Sequence, residues 1–311
     1  MLAVNPIELA INILSIISGC LMVVFVTWLR FSQPDVANTV SFKLSFWIGL
    51  ADAIYRGFFL LRQYHDLMDR VLPSNKALCR FFFWTMISIP LWFAFLTTAI
   101  AFDLHLTFIL RRTGLKKIQQ LYFPVASILA LIITLPVLIM GNVSWSPEQH
   151  HFNTDWSPLT LILTTILENN LWMCISIVYS TIIVILILLR ALRYLREVKN
   201  SCLHIDSGNR HSERRLVFSV LRILLYPLVL VLCQSVSSFQ AWIATLNKFS
   251  HPIYRQLFRV GAITTGLQGV LNLLVFFINP AFVEAMGKFP PFSRTKLPRV
   301  QPGDESKDQA V

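Results

Sequence analysis

The run LWMCISIVYSTIIVILILL, residues 171–189, is 19 consecutive residues without a charge. A helix that crosses a bilayer needs about 20 predominantly apolar residues, so this run reads as a membrane span and sets the scale for the rest of the chain. Upstream, Leu121–Gly141 also has no charge, and Phe81–Leu110 has Asp103 and His105 near its end. Phe42–Leu61 is the weakest candidate, since it carries Lys43, Asp52 and Arg56, whereas Ile7–Leu29 contains only Glu8. Downstream, Leu216–Leu246 holds Arg222, and Val260–Val283 is again uncharged. Seven spans are predicted, at about 7–30, 42–62, 80–110, 121–141, 169–193, 214–243 and 256–283.

Composition demands the same class. Hydrophobic residues make up 55% of the 311 and charged residues 14%, and the mean hydropathy is +0.61. Soluble domains carry about 25% charged residues, so this chain has too little polar surface to cover a globule in water. The expectation is an all-α membrane protein: a seven-transmembrane helix bundle over residues 1–288, followed by a Pro-rich, charged, disordered tail over 289–311.

The net charge of +11 fits either a nucleic-acid surface or the basic cytoplasmic loops of a membrane protein, and its distribution decides between them. With the N-terminus outside, the inner segments hold 18 Lys and Arg and the outer segments 7. That bias predicts a multi-pass protein with its N-terminus outside and C-terminus in the cytoplasm. It accounts for the charge without nucleic acid. The residues before the first span lack the basic start of a cleaved signal, so the first helix is expected to act as its own anchor. Asn142-Val143-Ser144 is the one glycosylation sequon and falls in an expected outer loop, which makes Asn142 the candidate glycan acceptor.

Little in the spans suits catalysis. Zinc needs several converging His, Cys or carboxylate ligands, yet His105 is the one histidine within a span, and the five cysteines have no metal spacing. The seventh span has no Lys for a retinal Schiff base. No enzyme activity, metal or cofactor is expected.

Ionisable residues inside spans are costly and point to function. Asp52 and Arg56, four apart, share one helix face and can pair, either as a static ion pair or as a polar hub that changes partners. Asp103 and Arg222 lie at similar depths in spans three and six and are candidates for a cross-helix pair, the alternative being that each reaches the inner surface. Pro90, Pro136 and Pro227 lie within spans and are expected to kink them, with Pro227 a hinge just beyond Arg222. Glu168 is either a helix-start carboxylate or a ligand contact. Trp84, Trp92, Trp172 and Trp242 occupy outer halves of spans, as an interfacial belt, as packing or as a converging aromatic pocket.

Several stretches carry a family resemblance: Leu44-Ser45-Phe46 through Ala51-Asp52, Ala99 through Leu106 (AIAFDLHL), Leu225-Tyr226-Pro227-Leu228-Val229, and Leu267-Gln268-Gly269-Val270-Leu271-Asn272. Together with seven spans they resemble the fungal G-protein-coupled receptors, the nearest kin being the slime-mould cAMP receptors and the fungal glucose-sensing receptors. The chain departs from that pattern in two places. Many such receptors join a cysteine at the position of Cys79 to the second outer loop, but residues 142–167 contain none; the third inner loop is also shorter than in the glucose-sensing branch.

The resemblance implies a plasma-membrane receptor that senses a small extracellular ligand and activates a heterotrimeric G protein. Asp52, Arg56, Asp103, Arg222, Pro227 and Asn272 are then switch candidates, and Glu168 with the four tryptophans line the candidate ligand pocket. Arg111, Arg112, Lys116, Lys117, Arg214 and Arg215 are the candidate G-protein contacts, and their charge also suits anionic membrane lipid. The rival class is a seven-helix small-solute carrier of the sugar type, which the resemblance does not favour. Pro90 has no clear mate in the seventh span of the kind that repeat-built carriers show.

Overall fold

In the computed structural model, the described residues are 6–34, 40–64, 68–69, 71–73, 75–112, 115–140, 143–146, 151–154, 170–200, 223–247, 252–279, 282–283 and 286. They form seven long helices: α1 (Pro6–Ser32), α2 (Val40–Gln63), α3 (Lys76–Leu104), α4 (Lys116–Met140), α5 (Leu171–Asn200), α6 (Leu225–Asn247) and α7 (Pro252–Ile278). One antiparallel hairpin, β1 (Val143–Ser146) and β2 (His151–Thr154), joins them with Val143 opposite Thr154. Six of the seven helices are long and apolar enough to cross a membrane; the apolar stretch of α6 within the described residues is the shorter Leu225–Gln240. This is the make-up of a multi-pass, all-α membrane bundle.

The first helix shows how a lipid solvent changes the usual pattern. Pro6 opens it at a position where its missing N–H costs nothing; Glu8 in the first turn and Arg30 in the last complement the helix dipole. Its buried face is Asn12, Ser15, Ser18, Gly19, Met22, Val26 and Leu29, polar and small at one end. Ile13, Leu14, Ile17, Leu21 and Val24 point outward. Between helices in lipid there is no hydrophobic drive to associate, so small residues that permit close approach and polar residues that bond across helices carry the packing.

The helices close into a ring. α1 packs on α2 and α7, α5 on α6, and α6 on α7, while α3 runs through the middle against α2, α4, α5 and α6. α4 packs chiefly on α3. The central core joins Ile48, Phe93, Leu96, Ile100, Ile183 and Leu230 from four of these helices.

α3 begins at Asn75, whose side chain accepts the Leu78 N–H at 3.0 Å, and ends in a π-helical turn, His105–Ile109. The hairpin lies against its first turns, where Phe152 packs on Phe82 and Phe83, and Trp145 Nε1 donates to Asp69, ahead of α3, at 2.7 Å. No strand was expected there. The alternation in Val143-Ser144-Trp145-Ser146, two buried residues among more exposed ones, is the period-2 signal that identifies it. The hairpin marks one end of the bundle; Arg111 and Arg112 after α3, with Lys116 and Lys117 at the start of α4, mark the opposite, basic end.

Two glycine contacts set the spacing of α1, α2 and α7. A Cβ on Gly19 would stand 2.6 Å from the carbonyl oxygen of Gly49. A Cβ on Gly269 would collide with both the Asp52 carboxylate and the Ser15 hydroxyl. Gly57, in α2, has open space around it. Gly269→Ala should therefore lower the melting temperature of the detergent-purified protein by an overpacking cost of about 1–3 kcal/mol, while Gly57→Ala should hold or raise it, because Ala is the better helix former. Equal effects of the two would contradict this packing.

Candidate functional site

The site grows from the i, i+4 spacing of Asp52 and Arg56 on α2. Their side chains are only 5% and 2% exposed, and Arg56 Nε lies 3.7 Å from Asp52 Oδ1. Isolated charges in an apolar interior cost several kcal/mol each, so their remaining atoms need partners, and neighbouring helices supply them. Ser15 Oγ of α1 donates to Asp52 Oδ2 at 2.7 Å. Arg56 Nη1 donates to Asn12 Oδ1 of α1 at 3.4 Å, and Arg56 Nη2 donates to the Thr265 carbonyl of α7. Three helices are thereby tied at one point.

The sixth helix joins this knot more lightly. Gln234 Nε2 of α6 donates to Gln268 Oε1 of α7 at 2.5 Å, and both residues line a small space beside Asp52, Arg56, Pro90 and Phe93. That space measures about 10 Å³, the size that holds one water molecule. Pro90 removes the backbone bond that would run to the Met86 carbonyl, beside the same space. Gln268 Nε2 and Asn272 Nδ2 are buried without a hydrogen-bond partner among the described residues. Asn272 lies one helical turn beyond Gln268 on the same face of α7.

A second polar junction lies nearer the basic end. The Ser45 hydroxyl of α2 donates to Tyr226 Oη of α6 at 2.9 Å, and Asn279, just past α7, bonds the same tyrosine. All three are buried. Pro227 sits beside this junction in the first turn of the described α6, where proline is tolerated; the segment expected to form the inner half of that helix lies outside the described residues.

Among the other residues singled out from the sequence, Asp103 accepts from Gln119 Nε2 at 2.9 Å and from Tyr122 Oη at 3.1 Å, both on α4. Its expected partner, Arg222, lies outside the described residues, as do Glu168, Arg214, Arg215, Asn142 and the tail 289–311. Arg111, Arg112, Lys116 and Lys117 are exposed together at the basic end. The four tryptophans go to separate partners. Trp84 and Trp92 donate to Thr134 and Ser127 of α4, each at 3.0 Å; Trp172 packs edge-on against Phe95; Trp242 Nε1 lies 3.3 Å from Cys174 Sγ of α5. Each staples a different pair of residues across neighbouring helices. Cys79 is a free, buried thiol.

Sequence reading missed Asn12, Ser15, Gln234, Ser45 and Tyr226 as members of these junctions. The recoverable signal was polar or small residues at helical spacing inside apolar runs, as at 12, 15 and 19.

Fold and site together define a helical membrane bundle with an ionisable knot at its centre. No protein-family model matches the chain, and none of the curated proteins is similar enough to count as a relative.

The knot makes a quantitative prediction. Asp52→Asn or Arg56→Gln alone should destabilise by about 3–5 kcal/mol, because each leaves a buried charge uncompensated. The double variant should lose far less than the sum. Strictly additive losses, read from unfolding of the purified protein, would show that the two charges do not interact.

Proposed function

We propose that the chain is a cell-surface receptor that senses a small extracellular ligand and activates a heterotrimeric G protein, with its N-terminus outside and its basic end in the cytoplasm. The observation that carries this reading is the uneven attachment of the helices. α1, α2 and α7 are joined by a buried ion pair and its satellites, which are expensive to separate. α6 packs along α7, but its polar links to that block are neutral hydrogen bonds, Gln234–Gln268 and Ser45–Tyr226, each worth about 0.6 kcal/mol on average in a membrane. A receptor needs such a contrast: a static block that keeps its geometry, and one helix whose displacement is within reach of a ligand's differential affinity.

The charge distribution supports the orientation, with 18 basic residues assigned to inner segments and 7 to outer ones. The hairpin near the start of α3 then covers the ligand side, and Arg111, Arg112, Lys116 and Lys117 present positive charge to an acidic partner. The resemblance of the four quoted stretches to fungal G-protein-coupled receptors agrees with this assignment.

Tyr226 provides the test. Tyr226→Phe keeps the ring but removes the hydroxyl shared by Ser45 and Asn279, so it should shift α6 toward its displaced position. Ligand-free G-protein activation in cells should rise severalfold, since about 1–2 kcal/mol changes a two-state ratio by roughly 5–30-fold. Unchanged basal signalling at equal surface expression would remove α6 as the moving element. Solute flux through proteoliposomes of the purified protein would overturn the receptor reading itself.

A further inference from the structure

We propose that the membrane-facing groove between α3 and α4 binds one acyl chain of an anionic phospholipid, whose headgroup is held by the basic residues Arg111, Arg112, Lys116 and Lys117. The proposal requires that α3 and α4 span a bilayer and does not depend on receptor activity.

The groove follows from how α4 is placed. That helix packs chiefly on α3, so a channel is left in front of α3, and Tyr179 of α5 reaches its lining. Its volume is about 480 Å³. The α3 wall is Phe95, Thr98, Ala99 and Phe102, at i, i+3, i+4 and i+7, which is one helix face. The α4 wall runs from Ile118 to Leu129 along the matching stripe. Ala99 and Ala126 supply the depth, being the small side chains between bulkier rims. The rims are open to the bilayer: Val125 is 55% exposed.

Length and charge select the occupant. From Ile118 to Leu129 α4 rises roughly 16 Å at about 1.5 Å per residue, close to half of a hydrocarbon core of about 30 Å. The groove therefore covers about one leaflet. Its Phe102–Ile118 end opens where Arg111, Arg112, Lys116 and Lys117 are all exposed, with Lys117 one helical turn before the groove residue Leu121. The acid nearest this mouth, Asp103, is occupied by Gln119 and Tyr122, and Arg190 adds a guanidinium bonded to the Ile109 carbonyl at 3.2 Å. The apolar wall holds an acyl chain but does not tell one lipid from another, since all lipid tails are equally apolar. Selectivity must come from the headgroup, and several positive charges at one end of a leaflet-length groove favour an anionic one over a zwitterionic one.

The test is native mass spectrometry of the full chain in detergent, titrated with phosphatidylserine and, separately, with phosphatidylcholine. The wild type should retain one phosphatidylserine in preference to phosphatidylcholine. Lys116→Gln with Lys117→Gln should abolish most of that preference, at roughly fivefold per charge. Ala99→Phe fills the groove and leaves every charge in place; it should lose the bound lipid, and Val125→Trp, on the exposed rim, should do the same by closing the groove from outside. Retention of phosphatidylserine by both groove variants, in protein that still melts like the wild type, would mean that the basic residues collect lipid by diffuse surface charge and would overturn the groove as a site. Equal retention of the two lipids by the wild type would overturn it as well.

Discussion

A guanidinium that is 2% exposed in the middle of an apolar bundle constrains everything around it. Arg56 cannot lose its proton to escape the cost of burial, so the fold must meet that cost with partners. It does so with a carboxylate one helical turn away on α2, an amide oxygen from α1 and a backbone carbonyl from α7. Each partner fixes a helix. Gly269 has to be glycine-sized because the Asp52 carboxylate and the Ser15 hydroxyl occupy the place of its side chain, and Gly19 and Gly49 let the α1 and α2 backbones approach closely enough for Ser15 to reach Asp52. Ring closure of α1 on α7 follows from the same contacts.

The rest of the bundle is held by weaker means. Tryptophan side chains staple α3 to α4 and α6 to α5; α6 packs along α7, and its polar links to α2 and α7 are neutral hydrogen bonds. Interhelical hydrogen bonds in a membrane contribute about 0.6 kcal/mol on average, well below the cost of separating the buried charges on α2. α4, attached chiefly to α3, stands off far enough to leave a lipid-facing groove.

Much of the fold was legible because hydropathy reports the solvent directly: a stretch such as 171–189 has no reading in water, and the helices lie where the apolar runs are. The ends were less legible. α5 extends to Asn200, past the expected end near 193, and α3 begins at Lys76, ahead of the expected 80, because helical hydrogen bonding continues beyond the hydrocarbon core while hydropathy falls at its edge. Of the site, the Asp52–Arg56 pair was readable from i, i+4 spacing on one helix. Asn12, Gln234 and Tyr226 were not, because a one-dimensional reading does not say which faces of different helices meet. The tryptophans show the same limit, since depth along a span does not say which residue Trp84, Trp92, Trp172 or Trp242 bonds to or packs on.

The central claim is that the buried ion pair on α2 holds α1 against α7. Residues 11 and 266 report on that contact, because a Cβ at position 266 would stand 3.7 Å from the Ile11 Cβ, within the disulfide range of about 3.5–4.5 Å. With both positions replaced by cysteine, oxidation in intact membranes should give a rapid α1–α7 cross-link, and adding Arg56→Ala should slow it at least several-fold. An unchanged cross-linking rate in the Arg56→Ala background would show that the helices are held by something other than the knot, and would contradict the account.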